Sequence, residues 1–113
     1  MRHVRQRHIE SLTEPVFLIL VSLAEEARHG YAILKDVETL SNQRIRMSTG
    51  TLYGALRRML EDGWIEHFQE ADAPRGRQAY RLTTPGRTVL NGEVNRMKLL
   101  ARLASTRLAR GEA

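Results

Sequence analysis

The sequence predicts a mainly α-helical fold that carries one small β-hairpin and ends in a long helix. Three observations lead to this. Helical periodicity recurs over three segments between residues 13 and 63. Two short β-like runs, Trp64 to Glu70 and Gln78 to Thr83, follow on either side of a Pro- and Gly-containing turn. A capped helical pattern then runs from Thr84 to about Ala109. Three helices, a hairpin and a long helix is the order of a winged helix-turn-helix with a C-terminal dimerisation helix.

The elements follow in turn. Residues 1–12 read as a basic N-terminal arm. Thr13 caps the first helix, with Glu14 and Pro15 in the opening turn, where both types are favoured. This helix is expected to reach Ala27 and, being apolar on nearly every side from Val16 to Leu23, to lie buried at the centre. Arg28-His29-Gly30 breaks the pattern. The second helix places Tyr31, Leu34, Val37 and Leu40 on one expected stripe and ends at Ser41-Asn42-Gln43. Ser48 opens the third helix by accepting from the N–H of Gly50 or Thr51. Leu52, Leu56, Met59 and Leu60 form its core stripe, and Gly63 terminates it. Asp72, Pro74 and Gly76 mark the hairpin tip. Thr84 and Pro85 start the last helix, whose roughly 25 residues span about 37 Å. The expected divisions are the arm at 1–12, the winged helix-turn-helix at 13–84 and the dimerisation helix at 85–113.

Composition bounds the function. The 113 residues are 42% hydrophobic and 27% charged, ordinary values for one globular domain. With no cysteine, disulfides and thiolate metal sites are excluded. The longest apolar run, Pro15 to Ala24, is too short to cross a membrane and lies too far in for a signal peptide, so a cytoplasmic protein without a membrane partner is expected. No nucleophile–base–orienter set and no phosphate-binding glycine loop points to an enzyme. His3, His8, His29 and His67 are scattered, with no metal-ligand spacing, and no cofactor is implied.

The net charge of +5 comes from 18 Lys and Arg against 13 Asp and Glu, and it is unevenly spread. Residues 1–9, 39–60 and 73–92 contain eleven arginines and no acid. Three such segments on one face would attract phosphate. A recognition helix needs one face for the domain and one for a major groove. In the third helix Gly50 and Gly54 leave the backbone bare, at a cost of roughly 1 kcal/mol each relative to alanine, which close approach of a partner or of another helix would explain. The candidate DNA contacts are Tyr31, Ser48, Thr49, Gly50, Thr51, Tyr53 and Arg57, with Arg75 and Arg77 from the hairpin tip. In the last helix Leu90, Val94, Met97, Ala101, Ala104 and Leu108 recur at alternating spacings of four and three, a heptad seam. With Leu100 and with Phe17 of the first helix, they are the candidate dimerisation residues.

At these residues the chain resembles the PadR family of bacterial winged-helix regulators. Ser48-Thr49-Gly50-Thr51-Leu52-Tyr53-Gly54-Ala55-Leu56-Arg57-Arg58-Met59 is similar to its S-x-G-T-L-Y-P-A-L-x-R-L signature. His29-Gly30-Tyr31-Ala32-Ile33 matches its H-G-Y-x-I, Gly63-Trp64-Ile65 its entry to the wing, and Tyr80-Arg81-Leu82-Thr83-Thr84-Pro85-Gly86-Arg87 its Y-x-L-T-x-x-G-R/K exit. Gly54 replaces the usual proline, and Gln78-Ala79 departs from the usual basic-aromatic wing. The resemblance implies a sequence-specific regulator of double-stranded DNA, a repressor acting as a homodimer on an inverted-repeat operator. It also implies release by a small-molecule effector in a hydrophobic chamber at the dimer interface. Aromatics are only 5% of the chain, which leaves few stacking partners for such a ligand. The alternative reading is a winged-helix protein-interaction module that does not bind DNA.

Overall fold

A computed structural model describes residues 12–69 and 78–112. The order is α1 (Glu14–Ser22), β1 (Arg28–His29), α2 (Gly30–Leu40), α3 (Thr49–Glu61), β2 (Ile65–Phe68), β3 (Ala79–Leu82) and α4 (Thr84–Glu112). This is the mainly α architecture expected, with a three-stranded antiparallel sheet in place of a two-stranded hairpin. In the sheet, β3 lies between β1 and β2. Tyr80 stands opposite both Arg28 and His67, and Glu66 opposite Arg81.

α1 begins as expected, with the Thr13 hydroxyl accepting from the Val16 N–H at 3.4 Å and proline in the first turn. It ends at Ser22, five residues before the expected Ala27. The Leu23 N–H is shared between the Ile19 and Leu20 carbonyls, a tightened last turn, and the chain then extends toward β1. Ile19 and Leu20 are fully buried, whereas Val16, Phe17, Leu18 and Val21 are half-buried. One flank of this apolar helix is therefore left partly uncovered by the described residues.

The expected stripe of α2 is corrected. Its buried face is Gly30, Ile33 and Val37, while Tyr31 is 70% exposed and Leu40 is exposed. At about 100° per residue, three successive steps of three carry Tyr31 and Leu40 to opposite sides of the helix. α2 ends in a left-handed cap at Asn42 (φ 56°), with the Asn42 N–H donating to the Thr39 carbonyl and the Gln43 N–H to that of Glu38. The buried Ser41 hydroxyl fixes the turn that follows, accepting from the Ile45 N–H at 2.9 Å.

α3 keeps its expected stripe, burying Leu52, Leu56 and Met59, with Ala55 added and Leu60 half-buried. Gly63 (φ 80°) closes it: its N–H reaches the Leu60 carbonyl and the Trp64 N–H reaches that of Met59. α4 is capped by Thr83, not Thr84. The Thr83 hydroxyl accepts from the Gly86 N–H at 3.0 Å and donates to the Gly63 carbonyl at 2.6 Å. In the same place the Thr83 N–H donates to the Trp64 carbonyl. The end of α3 and the start of α4 are thus fastened through one threonine.

The core unites Ile19, Leu20 and Leu23 with Ile33, Val37, Leu52, Leu56, Met59, Ile65 and Tyr80. Leu90 of α4 joins it at 9% exposure and Val94 packs against it. Glu93 is also buried, its carboxylate accepting from Arg96 at 2.8 Å. Arg96 holds that carboxyl below the ordinary glutamate range, with help from the Leu12 backbone and against the cost of desolvation. From Met97 to Glu112 every residue of α4 is exposed.

Candidate nucleic-acid interface

α3 divides cleanly about its axis. Thr49, Gly50, Tyr53, Gly54 and Arg57 fall within a sector of about 140°, opposite the buried Leu52, Ala55, Leu56 and Met59. Residues Thr49, Gly50, Tyr53 and Arg57 are exposed. A Cβ on Gly54 would meet nothing within 4 Å, and one on Gly50 would meet only the Ser48 hydroxyl at 3.9 Å. Among the described residues nothing packs against Gly54 and only the Ser48 hydroxyl lies near Gly50, so packing by the described residues does not explain either glycine.

The start of this helix is a set of donors. Ser48 accepts from the Thr51 N–H at 3.1 Å, and its hydroxyl donates to Thr51 Oγ1 at 3.0 Å. Ser48 and Thr51 therefore satisfy each other, while Thr49 projects from the first turn. Tyr53 and Arg57 stand one turn apart on the same side. Among the described residues Arg57 and Arg58 form no ion pair and are exposed, so the helix presents unneutralised positive charge.

Other arginines of the acid-free segments are engaged by residues distant in sequence, two of them by carboxylates. Arg44 pairs with Glu14 at 2.6 Å, holding that carboxyl below its ordinary range. Arg81 pairs across the strands with Glu66 at 2.7 Å and lies over the Phe68 ring. Arg87 donates to the Ala24 carbonyl. Arg28, from outside those segments, is held by the Ser22 carbonyl, Glu26 and Asp36. A basic run in sequence is thus only partly a basic patch in space. Arg75 and Arg77, with the rest of the hairpin tip, and the arm at 1–11 lie outside the described residues.

Tyr31 does not belong to the α3 sector. It projects from the first turn of α2, with Lys35 Nζ 5.9 Å from its ring centre. Tyr53 connects the two helices, because its phenol occupies the space beside Gly30. Tyr80, which the sequence reading named only as part of the wing motif, stands opposite Arg28 and near Tyr53. Its burial, with Tyr53 nearby, holds its hydroxyl above the ordinary phenol range. The Y-x-L-T segment that contains it was legible, but its partners come from β1, β2 and α3.

Of the dimerisation candidates, the structure puts Leu90 in the domain's own core and Val94 at its edge, and leaves Phe17 half-buried. Met97, Leu100, Ala101, Ala104 and Leu108 are exposed along α4. A depression of about 300 Å³ is lined by Leu23, Ala27, Phe68 and Leu82 with charged neighbours. It includes neither Phe17 nor the exposed stretch of α4, so it is not the chamber the resemblance implies. Among the described residues no helix is long and apolar enough to cross a membrane.

The model described as "Transcriptional regulator PadR-like family" matches residues 19–92. The chain is 34% identical over 84 residues to the transcriptional regulator Rv3488 of Mycobacterium tuberculosis, covering 74% of this chain and 76% of that protein. It is 36% identical over 85 residues to an uncharacterized 37.1 kDa protein in transposon TN4556 from Streptomyces fradiae, and there the match covers 74% of this chain but 23% of the longer relative. Among solved structures, a PadR family transcription regulator from Clostridium difficile R20291 superposes with a TM-score of 0.70 at 23% identity, over 85% of this chain and 99% of that one. Bacillus subtilis PadR in complex with operator DNA gives 0.61 at 20% identity, over 70% and 45%. At these identities the two structures share the fold.

Proposed function

The chain belongs to the PadR-like family of transcriptional regulators, which are not enzymes, and on that premise we propose that it is a cytoplasmic repressor that binds an inverted-repeat operator as a homodimer. In this reading the sector of α3 bearing Thr49, Gly50, Tyr53, Gly54 and Arg57 enters the major groove. Ser48 and Thr51 shape the helix start beside a phosphate, and Arg75 and Arg77 of the wing lie along the backbone.

The observation that carries the reading is the bare, cationic face of α3. Two glycines in one helix cost stability, and no other described element packs against them. Their absence of side chains lets the helix backbone approach a groove wall, with Arg57 and Arg58 supplying charge. That a protein of the same fold, Bacillus subtilis PadR, has a structure with operator DNA supports the same use here.

Dimerisation is supported by the exposed leucines of α4 and the uncovered flank of α1. Leu99, Leu100, Leu103 and Leu108 are each about half exposed or more, which is costly for a helix that stays alone in water. A dimer built there would cover them and enclose Phe17, and between α1 and α4 it would form the apolar chamber for a small-molecule effector.

The test is a titration of the purified protein against labelled DNA from upstream of its own gene and against scrambled DNA, at two salt concentrations. Tight binding to the upstream DNA alone, weakening steeply with salt, is the expected result. Absence of binding to either DNA at low salt overturns the reading and favours a protein-binding use of the same fold.

A further inference from the structure

We propose that the exposed side of the turn between α2 and α3, carrying Arg44 and Arg46, is a phosphate-binding strip for the duplex backbone, and that Glu14 restrains it by holding Arg44. This rests on the DNA-binding reading above and adds to it two contacts that lie outside α3 and the wing.

The local chain explains the placement. From Arg44 to Ser48 burial alternates: Arg44, Arg46 and Ser48 are exposed, while Ile45 and Met47 are half-buried against the core. A period of two is that of an extended run, in which every second side chain shares a side. Anchoring Ile45 and Met47 inward therefore turns both arginines outward, on the side of Ser48. Ser48 caps α3, and the exposed Thr49 and Gly50 of the outer sector follow it directly. At about 3.3 Å per residue the two arginines start about 6.6 Å apart, a spacing that lets them reach neighbouring phosphates of one strand.

The turn that leads into this run is held firmly. Asn42 and Gln43 both have left-handed backbone, at φ 56° and 69°, which is uncommon for residues other than glycine. The Arg44 N–H donates to the Ser41 carbonyl at 3.2 Å, and the Ile45 N–H donates to the Ser41 hydroxyl at 2.9 Å. The Gln43 carboxamide oxygen in turn accepts from the Arg46 guanidinium at 3.4 Å. Among the described residues Arg46 has no acidic partner, so its charge is uncompensated there.

Arg44 differs, because Glu14 at the start of α1 already holds it through one nitrogen at 2.6 Å. The two side chains are 64% and 49% exposed, and an ion pair so open to water is weak. A guanidinium has five N–H donors in a fork that matches phosphate, so a duplex phosphate competes for it. The same phosphate is repelled by the Glu14 carboxylate. Glu14 therefore lowers affinity for any duplex, whatever its sequence.

The experiment measures wild type, Arg44→Gln, Arg46→Gln, Glu14→Gln and the double variant Arg44→Gln with Glu14→Gln. Each is titrated with upstream DNA and with a scrambled duplex over a salt series. Loss of either arginine should weaken binding about fivefold at low salt on both duplexes alike. It should also reduce the slope of log affinity against log salt by about 1 for each bound copy of the chain. Glu14→Gln should tighten binding about threefold on both duplexes, a gain that disappears where Arg44 is already replaced. An unchanged salt slope in either arginine variant overturns the proposal, as does a loss confined to upstream DNA. An equal gain from Glu14→Gln with and without Arg44 overturns the restraint, since the carboxylate then acts through overall charge alone. Failure of the wild type to bind either duplex overturns the DNA reading itself, and the strip with it. Thermal melts of every variant check that the fold is retained, as expected for exposed positions.

Discussion

The phenol of Tyr53 fills the space that a side chain on Gly30 would need: its Cζ and Cε1 lie 2.7 and 3.2 Å from where a Cβ would stand. The ring end can swing outward, so Gly30→Ala should change stability by less than about 1 kcal/mol. It should nevertheless move Tyr53 and weaken DNA binding about tenfold, a shift of roughly 1.4 kcal/mol. Melting and titration of the same preparation separate the two effects; equal affinity for both proteins would show that the position of Tyr53 is immaterial.

Gly86 differs because its neighbour is backbone. A Cβ there would overlap the Trp64 carbonyl oxygen and lie 2.8 Å from its carbon. That carbonyl is already held by the Thr83 N–H at 3.0 Å, so it has no room to yield. Gly86→Ala should cost about 3 kcal/mol in urea denaturation, at the upper end of ordinary overpacking. A loss under 1 kcal/mol would contradict the described junction.

Ser22 is 1% exposed, and its hydroxyl has no hydrogen-bond partner among the described residues. Ser22→Ala removes an unsatisfied polar atom from the interior and should stabilise the fold by about 1 kcal/mol. A clear destabilisation would mean that the hydroxyl is hydrogen-bonded after all.

Glu93 gives the fold an acid-sensitive element. Its folded carboxyl is held below the ordinary 4.5, chiefly by Arg96. The stabilisation is therefore complete above the ordinary range and is lost as pH falls through the depressed value. Glu93→Gln should be less stable at neutral pH and should show a shallower loss below pH about 4.5. Parallel denaturation series down to acid pH measure this, and identical slopes would sink it.

Leu100 and Leu103 lie on the exposed part of α4, away from the core. Leu100→Glu with Leu103→Glu should give a folded monomer in sedimentation at micromolar concentration. Its affinity for upstream DNA should fall by about a hundredfold or more, because the second half-site no longer binds intramolecularly. A variant that remains dimeric would place the interface elsewhere.

Much of this was legible where local chemistry decides. The Ser48 cap, the stripe of α3 and Gly63 at its end all lie within one segment and need no tertiary information. β1 was illegible because two residues carry no periodicity, and it exists only through pairing with β3. The phase of α2 was misread because four residues at equal spacing, Tyr31, Leu34, Val37 and Leu40, suggest a stripe even when they wind around the helix. Charge was overcounted for a similar reason. Glu14 and Glu66 are remote from Arg44 and Arg81 in sequence or across a turn, yet meet them in space.

The fastening of α3 to α4 through Thr83 has a consequence for operators. No flexible joint separates the helix that would read DNA from the helix that would pair two copies. In the proposed dimer the two reading helices then form parts of one stiff gauge. Inserting one base pair between half-sites displaces them by about 3.4 Å and turns them by about 34° around the duplex. A gauge without slack cannot follow that change, so the spacing between half-sites should be as strictly required as the bases within them.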